Sequence, residues 1–427
     1  MPGLRVGLLG LGTVGTGVLK LLGANRGMIE AKVGAPIEVV RALVRHPGRT
    51  RDHELPALSL TSDPGSVVGA PDIDLVVEVM GGITPARDYM VQALRAGQWV
   101  ITANKDVVAE YGDDLYAAAD AGHSAFFFEA SVGGGIPIIR ALKESLAANR
   151  IQSVMGIVNG TTNYILTKMS QQGQDFGEAL ATAQQLGYAE ADPTADVDGH
   201  DAARKLAILC SMAFLTRIKP GQIHTEGIRG VSARDIQMGQ RFGWVVKLLA
   251  IGKATANGIE VRVHPTFIPK EHPLASVNDV LNGIFVSGDA VGETMFYGRG
   301  AGSLPTASSV VGDLIQAALA RQSGGATLGC TCYEERPLLP MSGVTSRYYL
   351  RLIVADQPGV LARVASAFGD AGVSIESVVQ APRSAEAAEV VFVTHSVQEG
   401  RLQSAVAAVR QQTDVVHRID SLIRVEA

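Results

Sequence analysis

The 427-residue sequence predicts the α/β fold class: a doubly wound sheet, then an α+β domain, then a small C-terminal βαββαβ unit. Three observations carry this. Short β-rich runs alternate with helical patterns through the first third of the chain, which argues for a parallel sheet with helices on both faces. A glycine-punctuated turn, Gly10 to Gly15, stands between the first strand and the first helix. Beyond residues 332–346, which carry Pro337, Pro340 and Gly343, the periodicity resumes as strand, helix, strand, strand, helix, strand.

The elements follow in order. Residues 5–9, 37–44, 75–79, 99–102 and 124–129 are predicted strands, and residues 14–22, 86–96 and 113–121 place apolar side chains at helical spacing. From about residue 135 the pattern mixes. A helix is predicted at 137–147, a strand near 151–158, a long helical region at 164–215, and strands at 260–269 and 283–288. This reads as a second domain, a sheet covered by helices on one face. Residues 308–321 are expected to form a helix that runs back against the first domain. At the C-terminal end, strands are predicted at 347–354, 373–379, 390–395 and 415–425, with helices at 360–371 and 400–411. The expected domains are 1–134 (with a return helix at 305–322), 135–304 and 347–427, the last preceded by a linker at 332–346. About 80 residues suffice for the final unit to fold alone.

Apolar residues make up 47% and charged residues 19% of the chain, which describes a globular protein rather than a disordered one. A net charge of -5 gives no general reason to expect nucleic acid or a membrane as partner. The longest apolar helical run, 206–215, is too short to span a bilayer, and the start MPGLRVGLLG reads directly as a strand rather than a signal peptide. Cys210, Cys330 and Cys332 cannot build a disulfide framework, and the last two stand too close for a paired metal knuckle. A cytoplasmic protein is expected.

Gly10-Leu11-Gly12-Thr13-Val14-Gly15 follows a strand and opens a helix. The first glycine permits the tight turn, the second lets a pyrophosphate approach the backbone, and the third lets helix and strand pack closely. The helix N-terminus then offers N–H groups to phosphates. This predicts a dinucleotide on a Rossmann sheet, against the alternative of a bare tight turn. The end of the second strand chooses the dinucleotide, because a carboxylate there accepts a ribose 2′-OH whereas an arginine pairs with a 2′-phosphate. Arg45-His46 stand there, with Arg49 and Arg51 close behind. NADP(H) is favoured with NAD(H) still usable, and a solvated basic loop is the alternative.

Lys105 follows the strand at 99–102, at the carboxyl edge where ligands bind in open α/β sheets. It is a candidate for a substrate or cofactor role, or else an ordinary surface lysine. In Glu129-Ala-Ser-Val132-Gly-Gly134-Gly-Ile136, consecutive glycines free backbone carbonyls to converge, and one carboxylate would suit a monovalent cation. Composition alone favours a hinge there. The run from Gly298 to Gly302 either lines the cofactor pocket or is a plain glycine-rich loop.

Residues 187–205, GYAEADPTADVDGHDAARK, concentrate Glu190, Asp192, Asp196, Asp198 and Asp201 and end on Arg204-Lys205. Pro193 and Gly199 punctuate the run, so a helix is expected to begin near Asp201 and to carry Lys205 one turn later on the same face. A carboxylate so placed can orient a lysine, and hydride transfer to an aldehyde creates an alkoxide that needs a proton or a positive charge beside it. Glu190 suits a substrate ammonium, whereas Asp192, Asp196 and Asp198 read as shaping the loop and capping the helix. The alternative is a surface ion pair worth a few tenths of a kcal/mol, on the order of 0.3.

The run through Ala183, Gly187, Asp192-Pro193, Asp196, Gly199, Asp201 and Lys205 closely resembles the signature of homoserine dehydrogenases. The resemblance extends through GLGTVG, TANK, EASVGGGIP, NGTTNYI and GRGAG, and so covers residues 1 to about 330. It implies reversible NAD(P)H-dependent reduction of L-aspartate 4-semialdehyde to L-homoserine, in threonine, methionine and isoleucine biosynthesis. It implies Lys205 as proton donor, Asp201 and Glu190 as substrate contacts, Gly187 beside the substrate and Asp196 within the substrate-binding set. Lys105 matches a second active-site lysine and Gly302 a cofactor contact. A cation, sodium or potassium, falls by the same resemblance on Glu129, Val132, Gly134 and Ile136, in place of the hinge. His46 stands where an acidic residue is common, which leaves the cofactor preference open. A homodimer or homotetramer is expected.

Residues 347–427 resemble an ACT domain, with Asp356-Gln-Pro358-Gly359-Val360-Leu361 leading into its first helix and Gly372-Val-Ser-Ile375 opening its second strand. The resemblance implies an amino-acid effector, threonine, at this module. Two other readings stand beside this one: a reductase for a different amino-acid semialdehyde, and a non-catalytic sensor of nucleotide and amino acid. Such a sensor would not need Glu190, Asp201 and Lys205. A phosphorylating aldehyde dehydrogenase is disfavoured, because no cysteine sits at a nucleophile position.

Overall fold

The computed structural model describes residues 3–48, 58–324, 328–382 and 387–426; Arg49 and Arg51 of the basic run lie outside the described residues. The chain forms two compact units. One comprises Met1–Val154, Arg204–Gly221 and Leu281–Glu335, the other Met155–Ala203, Gln222–Val280 and Arg336–Ala427.

The first unit opens with β1 (Leu4–Leu9), α1 (Thr13–Ala24), α2 (Arg26–Val33), β2 (Ile37–Leu43), β3 (Ser59–Thr61), β4 (Leu75–Glu78), α3 (Ala86–Arg95), β5 (Trp99–Thr102), α4 (Lys105–Ala121) and β6 (Phe126–Phe127). All six strands pair parallel, in the order β3-β2-β1-β4-β5-β6. This is the strand order of a Rossmann sheet. Its central strands are apolar runs because helices cover both faces. The short β3 and α2 carry too little periodicity to be read from sequence, although α2 does end on the left-handed Gly34.

A helix at Ser303–Gln322 joins this core although nearly the whole unit separates it from α1 in sequence. Ser303 Oγ donates to Thr13 O at 2.7 Å, and Val310, Leu314 and Ala317 pack in one cluster with Val18 and Leu22. An antiparallel hairpin, Leu281–Gly288 and Gly292–Arg299, also belongs to this unit. The helix expected at 137–147 is shorter, with a π-helical turn at Ala141–Ser145 as its main part.

The long helical region expected at 164–215, of which residues up to Ala203 belong to the second unit and those from Arg204 to the first, is broken. Gly160–Gln172 ends on Gly173 in the left-handed region. Phe176–Gln185 then starts from a reciprocal cap between Asp175 and Glu178, and Thr194–Val197 and His200–Ala213 follow. The strands Trp244–Thr255, which the sequence reading missed, and Gly258–Pro269 pair antiparallel along their full length.

The C-terminal βαββαβ unit forms as expected. Its strands run Val416–Val425, Thr345–Ala355, Ala387–Thr394, Ile375–Pro382 across the sheet, all antiparallel. Helices Val360–Asp370, through Phe368, and Glu399–Arg410 close over Leu350, Leu352 and Phe392. This sheet does not stand apart, because Val416–Val425 pairs parallel with Gly258–Pro269 at Thr266–Arg424 and Phe267–Val425. The expected linker is also fastened, with Ile259 N–H donating to Pro337 O at 2.8 Å and Leu339 N–H to Ile259 O at 2.9 Å. Among the described residues no helix is long and apolar enough to cross a membrane.

Candidate active site

The Gly10–Gly15 turn closes one end of a cleft of about 740 Å3 in the first unit. Gly10 sits at φ 102°, and a β-carbon there would come within 2.9 Å of Val79 O. Only glycine lets the chain leave β1 so close to β4. Space around Gly12 is open, whereas a β-carbon at Gly15 would meet Gly10 O at 2.4 Å. The three glycines therefore divide as the fingerprint requires: turn, approach, packing. Thr13, Val14 and Gly15 form the first turn of α1, which has no acidic residue to repel a phosphate.

The cleft runs along the carboxyl ends of β1, β2 and β4, where Gly10, Leu11, Gly12, Arg45, His46 and Met80 line it. Arg45 is exposed. This shape and this donor set fit a dinucleotide. The sequence reading missed Glu78, fully buried at the end of β4. It accepts from Thr102 Oγ1 at 2.5 Å, Met80 N–H at 2.8 Å and Gly81 N–H at 3.2 Å. Burial pushes its carboxyl above the usual range in spite of those donors. Glu78 thus fixes the cleft wall at Met80 and Gly81.

Lys105 is the first residue of α4 and is half-buried. Asn104 caps the helix, accepting from Val107 N–H at 3.3 Å and donating to Gly82 O at 2.6 Å. Next along α4, Asp106 pairs with Arg204 at 3.1 Å. Each candidate lysine, Lys105 and Lys205, therefore neighbours one member of a single ion pair in sequence. Gly302 caps the Ser303–Gln322 helix at φ 125°, but it is not among the residues that line the cleft.

In the second unit the acidic segment is organised by Asn159, which the sequence reading did not single out. Its Nδ2 donates to Asp196 Oδ1 at 2.7 Å and to Asp201 Oδ2 at 2.8 Å. Its Oδ1 meanwhile accepts from Thr162 N–H at 2.9 Å, capping Gly160–Gln172. The signal was present, as an Asn between a strand and a helix-forming run, but its second task joins residues some 40 positions away and has no local trace. Asp201 is buried in the first turn of His200–Ala213, and Lys205, one turn along that helix and in the first unit, is half-buried. Gly187 stands at φ 74°, in a turn closed by Tyr188 N–H to Ala183 O at 2.8 Å, and Glu190 is exposed. Asp192 shapes a turn by accepting from Thr194 N–H at 3.1 Å.

Glu129 lies buried in the first unit, with Oε1 accepting from Ile139 N–H at 2.8 Å and Oε2 from Arg140 N–H at 2.7 Å. Burial raises its carboxyl above the usual range. Its neighbour Asp313, which accepts from Glu129 N–H at 3.0 Å, is pushed up to about 7 by burial and then by the Glu129 charge. Gly134 O accepts from Ser309 Oγ at 2.6 Å and Ile136 O from Ile138 N–H at 2.9 Å, and Val132 is buried. A carboxylate and carbonyls keep spare lone pairs after one hydrogen bond, so this all-oxygen donor set fits a hard monovalent cation. Among the described residues no group of three or more His, Cys, Asp or Glu side chains is arranged for a metal.

Known proteins add a second line of observation. A family profile described as "Homoserine dehydrogenase" matches residues 137–315. Another, "Homoserine dehydrogenase, NAD binding domain", matches 10–129, and an ACT domain profile matches 348–414. A homoserine dehydrogenase of Synechocystis sp. is 48% identical over 99% of each chain. The crystal structure of one from Thiobacillus denitrificans gives a TM-score of 0.93 at 42% identity, covering 100% of this chain and 98% of that one. A hyperthermophilic archaeal homoserine dehydrogenase in complex with NADPH gives 0.63 at 27% identity, over 77% of this chain and 100% of that one. Likeness of this degree along the whole of both chains has one consequence: the chain belongs to the homoserine dehydrogenase family of oxidoreductases.

Proposed function

We propose that this enzyme prefers NADP(H), interconverts L-aspartate 4-semialdehyde and L-homoserine, and responds to threonine through its ACT domain. One observation carries the cofactor preference. Arg45 and His46 line the cleft at the end of β2, and among the described residues that line it there is no carboxylate. A 2′-phosphate would have a guanidinium to pair with, whereas a ribose 2′-OH would lack its usual acceptor. NAD(H) serves as the weaker alternative.

The nicotinamide, when bound, supplies or takes the hydride at C4. The chain's own residues manage the substrate and the proton. Lys205 gives its proton to the carbonyl oxygen as that atom becomes an alkoxide. Asp201, held by Asn159, keeps substrate and lysine in register. Glu190 recognises the ammonium of the amino-acid end, Gly187 leaves the backbone accessible beside it, and Asp196 belongs to the same substrate-binding set. Lys105 acts as the second active-site lysine, supported by the Asp106–Arg204 pair, and Gly302 contacts the cofactor. Sodium or potassium on Glu129, Val132, Gly134 and Ile136 would keep the buried Glu129 ionised and fix the local backbone. A homodimer or homotetramer in the cytoplasm, within threonine, methionine and isoleucine biosynthesis, completes this reading.

Steady-state kinetics at saturating homoserine test the preference. We expect kcat/KM to favour NADP over NAD by about tenfold, the worth of one charge-assisted pair, and Arg45→Ala to erase that ratio. Equal values for the two cofactors, or a preference for NAD, would dismiss it.

A further inference from the structure

The segment from Leu328 to Glu335 follows the Ser303–Gln322 helix in the first unit and has no regular secondary structure. It is nonetheless pinned on both sides. Lys143 Nζ donates to Leu328 O at 3.0 Å and Gly329 O at 3.2 Å, and Glu334 N–H donates to Leu215 O at 2.8 Å. Between these anchors stand Cys330 and Cys332. Tyr333 N–H folds back onto Thr331 O at 3.1 Å, closing a three-residue turn about Cys332, and Cys332 N–H points at Cys330 Sγ at 3.5 Å.

The two sulfurs differ. Cys330 is exposed and accepts from Arg217 Nη2 at 3.4 Å. Cys332 is half-buried, and its thiol lies within reach of Ser211 O at 3.5 Å and of Cys330 Sγ. The charged and titratable groups facing the pair are Arg217, Asp113, Lys143 and Tyr116. The Cys332 donor and then the Arg217 guanidinium, against some burial, hold the Cys330 thiol below the ordinary thiol range. Cys332 is pushed the opposite way by its bond to Cys330 and by burial. Cys330 is therefore the more exposed and more readily ionised sulfur, and Cys332 the more enclosed thiol beside it. That division of labour suits thiol–disulfide exchange. Cys210 is fully buried and takes no part.

We propose that Cys330 and Cys332 form a dithiol–disulfide centre that is oxidised by low-molecular-weight disulfides. The Cys330 thiolate attacks one sulfur of the disulfide, forming a mixed disulfide and expelling one thiolate, which takes up a proton. Cys332 then loses its proton and attacks Cys330 Sγ, forming the intramolecular bond and expelling the second small thiol. The protein loses two hydrogens, and the disulfide leaves as two thiols.

The full-length protein incubated with excess glutathione disulfide, then alkylated and weighed, tests this. We expect the loss of two hydrogens, protection of Cys330 and Cys332 from alkylation with Cys210 unchanged, and full reversal by dithiothreitol. Cys332→Ser should stop at a glutathione adduct on Cys330, and Cys330→Ser should give neither product. The pH profile of Cys330 alkylation in the wild type should have its midpoint below the ordinary thiol value, and in the Cys332→Ala and Arg217→Gln variants it should move up. A stable glutathione adduct in the wild type without ring closure would overturn the proposal, and so would a wild-type midpoint at the ordinary thiol value of about 8.5.

Discussion

Two charge-dense regions of the second unit are built on opposite plans. In the acidic segment Glu190 and Asp192 face solvent, Asp198 pairs with the exposed Arg229 at 2.6 Å, and only Asp201 is buried, held by Asn159. In and beside the sheet a set of buried arginines is matched by carboxylates. Arg262 has no exposed surface and reaches Glu260 at 2.5 Å, His264 at 3.1 Å and Glu426. Arg424 donates to both oxygens of Glu399 at 2.9 Å and to Glu226 at 3.0 Å. Tyr348 and Gln403 occupy further lone pairs of Glu399, at 2.8 and 2.7 Å. Burial and the flanking guanidiniums hold His264 well below its usual range, so it stays neutral and accepts from Arg262. A lattice so completely matched has no capacity left for a ligand and works as a fastening. The acidic segment keeps carboxylates toward water, where a substrate ammonium can reach them.

The largest effect that would test this contrast is on turnover. Lys205→Ala should lower kcat by about 10²–10⁴-fold while NADPH binding, followed by fluorescence, stays near that of the wild type. Asp192→Ala, in the same segment, should leave kcat nearly unchanged. Near-normal turnover in Lys205→Ala would remove that residue from the chemistry.

The lattice should fail through stability instead. Arg424→Ala strands Glu399 and Glu226, and we expect a loss of about 3–5 kcal/mol in urea unfolding; an unchanged midpoint would mean that the enclosed charges relax to water. Asn159→Ala sits between the two cases. It should cost about 1 kcal/mol of stability as a lost cap and about tenfold in kcat/KM through Asp201 (about 1.4 kcal/mol). A stability loss with no kinetic change would reduce Asn159 to a cap.

The smallest expected effect is on pH dependence. Burial pushes Glu226 up, but the His224 and Arg424 donors outweigh it and hold its carboxyl at about 2, below the ordinary 4.5. A group depressed in the folded state stabilises above its unfolded value, and that contribution is lost as pH falls from about 4.5 toward 2. The side chain is 40% exposed, so solvent screening keeps the effect modest. Urea midpoints should fall less steeply across this window in Glu226→Gln, and parallel curves would exclude the pair as an acid-sensitive contact.

The same contrast explains what the sequence made legible. The Rossmann strands and the acidic run announce themselves locally, through apolar runs, glycine spacing and clustered charge. Trp244–Thr255 did not, because a long apolar run buried along most of its length lacks the alternation that marks a strand. Its Lys247 is also buried, donating to Asn163 Oδ1 and Asn278 Oδ1 at 3.2 Å. The breaks within 164–215 were signalled by Gly173 and by the Asp175–Glu178 cap, yet helical spacing on either side masked them. The lattice gave no signal at all, since Glu226, Glu260, Glu399 and Arg424 meet only once the sheet has formed. Glu78 and Asp313 are likewise ordinary acids in sequence, and folding alone buries them.

The parallel seam between Gly258–Pro269 and Val416–Val425 bears on any attempt to trim this chain. An ACT module hung on a tether could be removed as a passenger. Here it guards an edge. A chain cut before Thr345 would bare the main-chain N–H and C=O groups of Gly258–Pro269 around Thr266 and Phe267, the kind of open strand that recruits another chain. It would also leave Lys253 and the enclosed Arg262 without Glu426. Such a truncation should yield insoluble protein rather than a deregulated enzyme, and regulation is better dissected here by point substitution than by deletion.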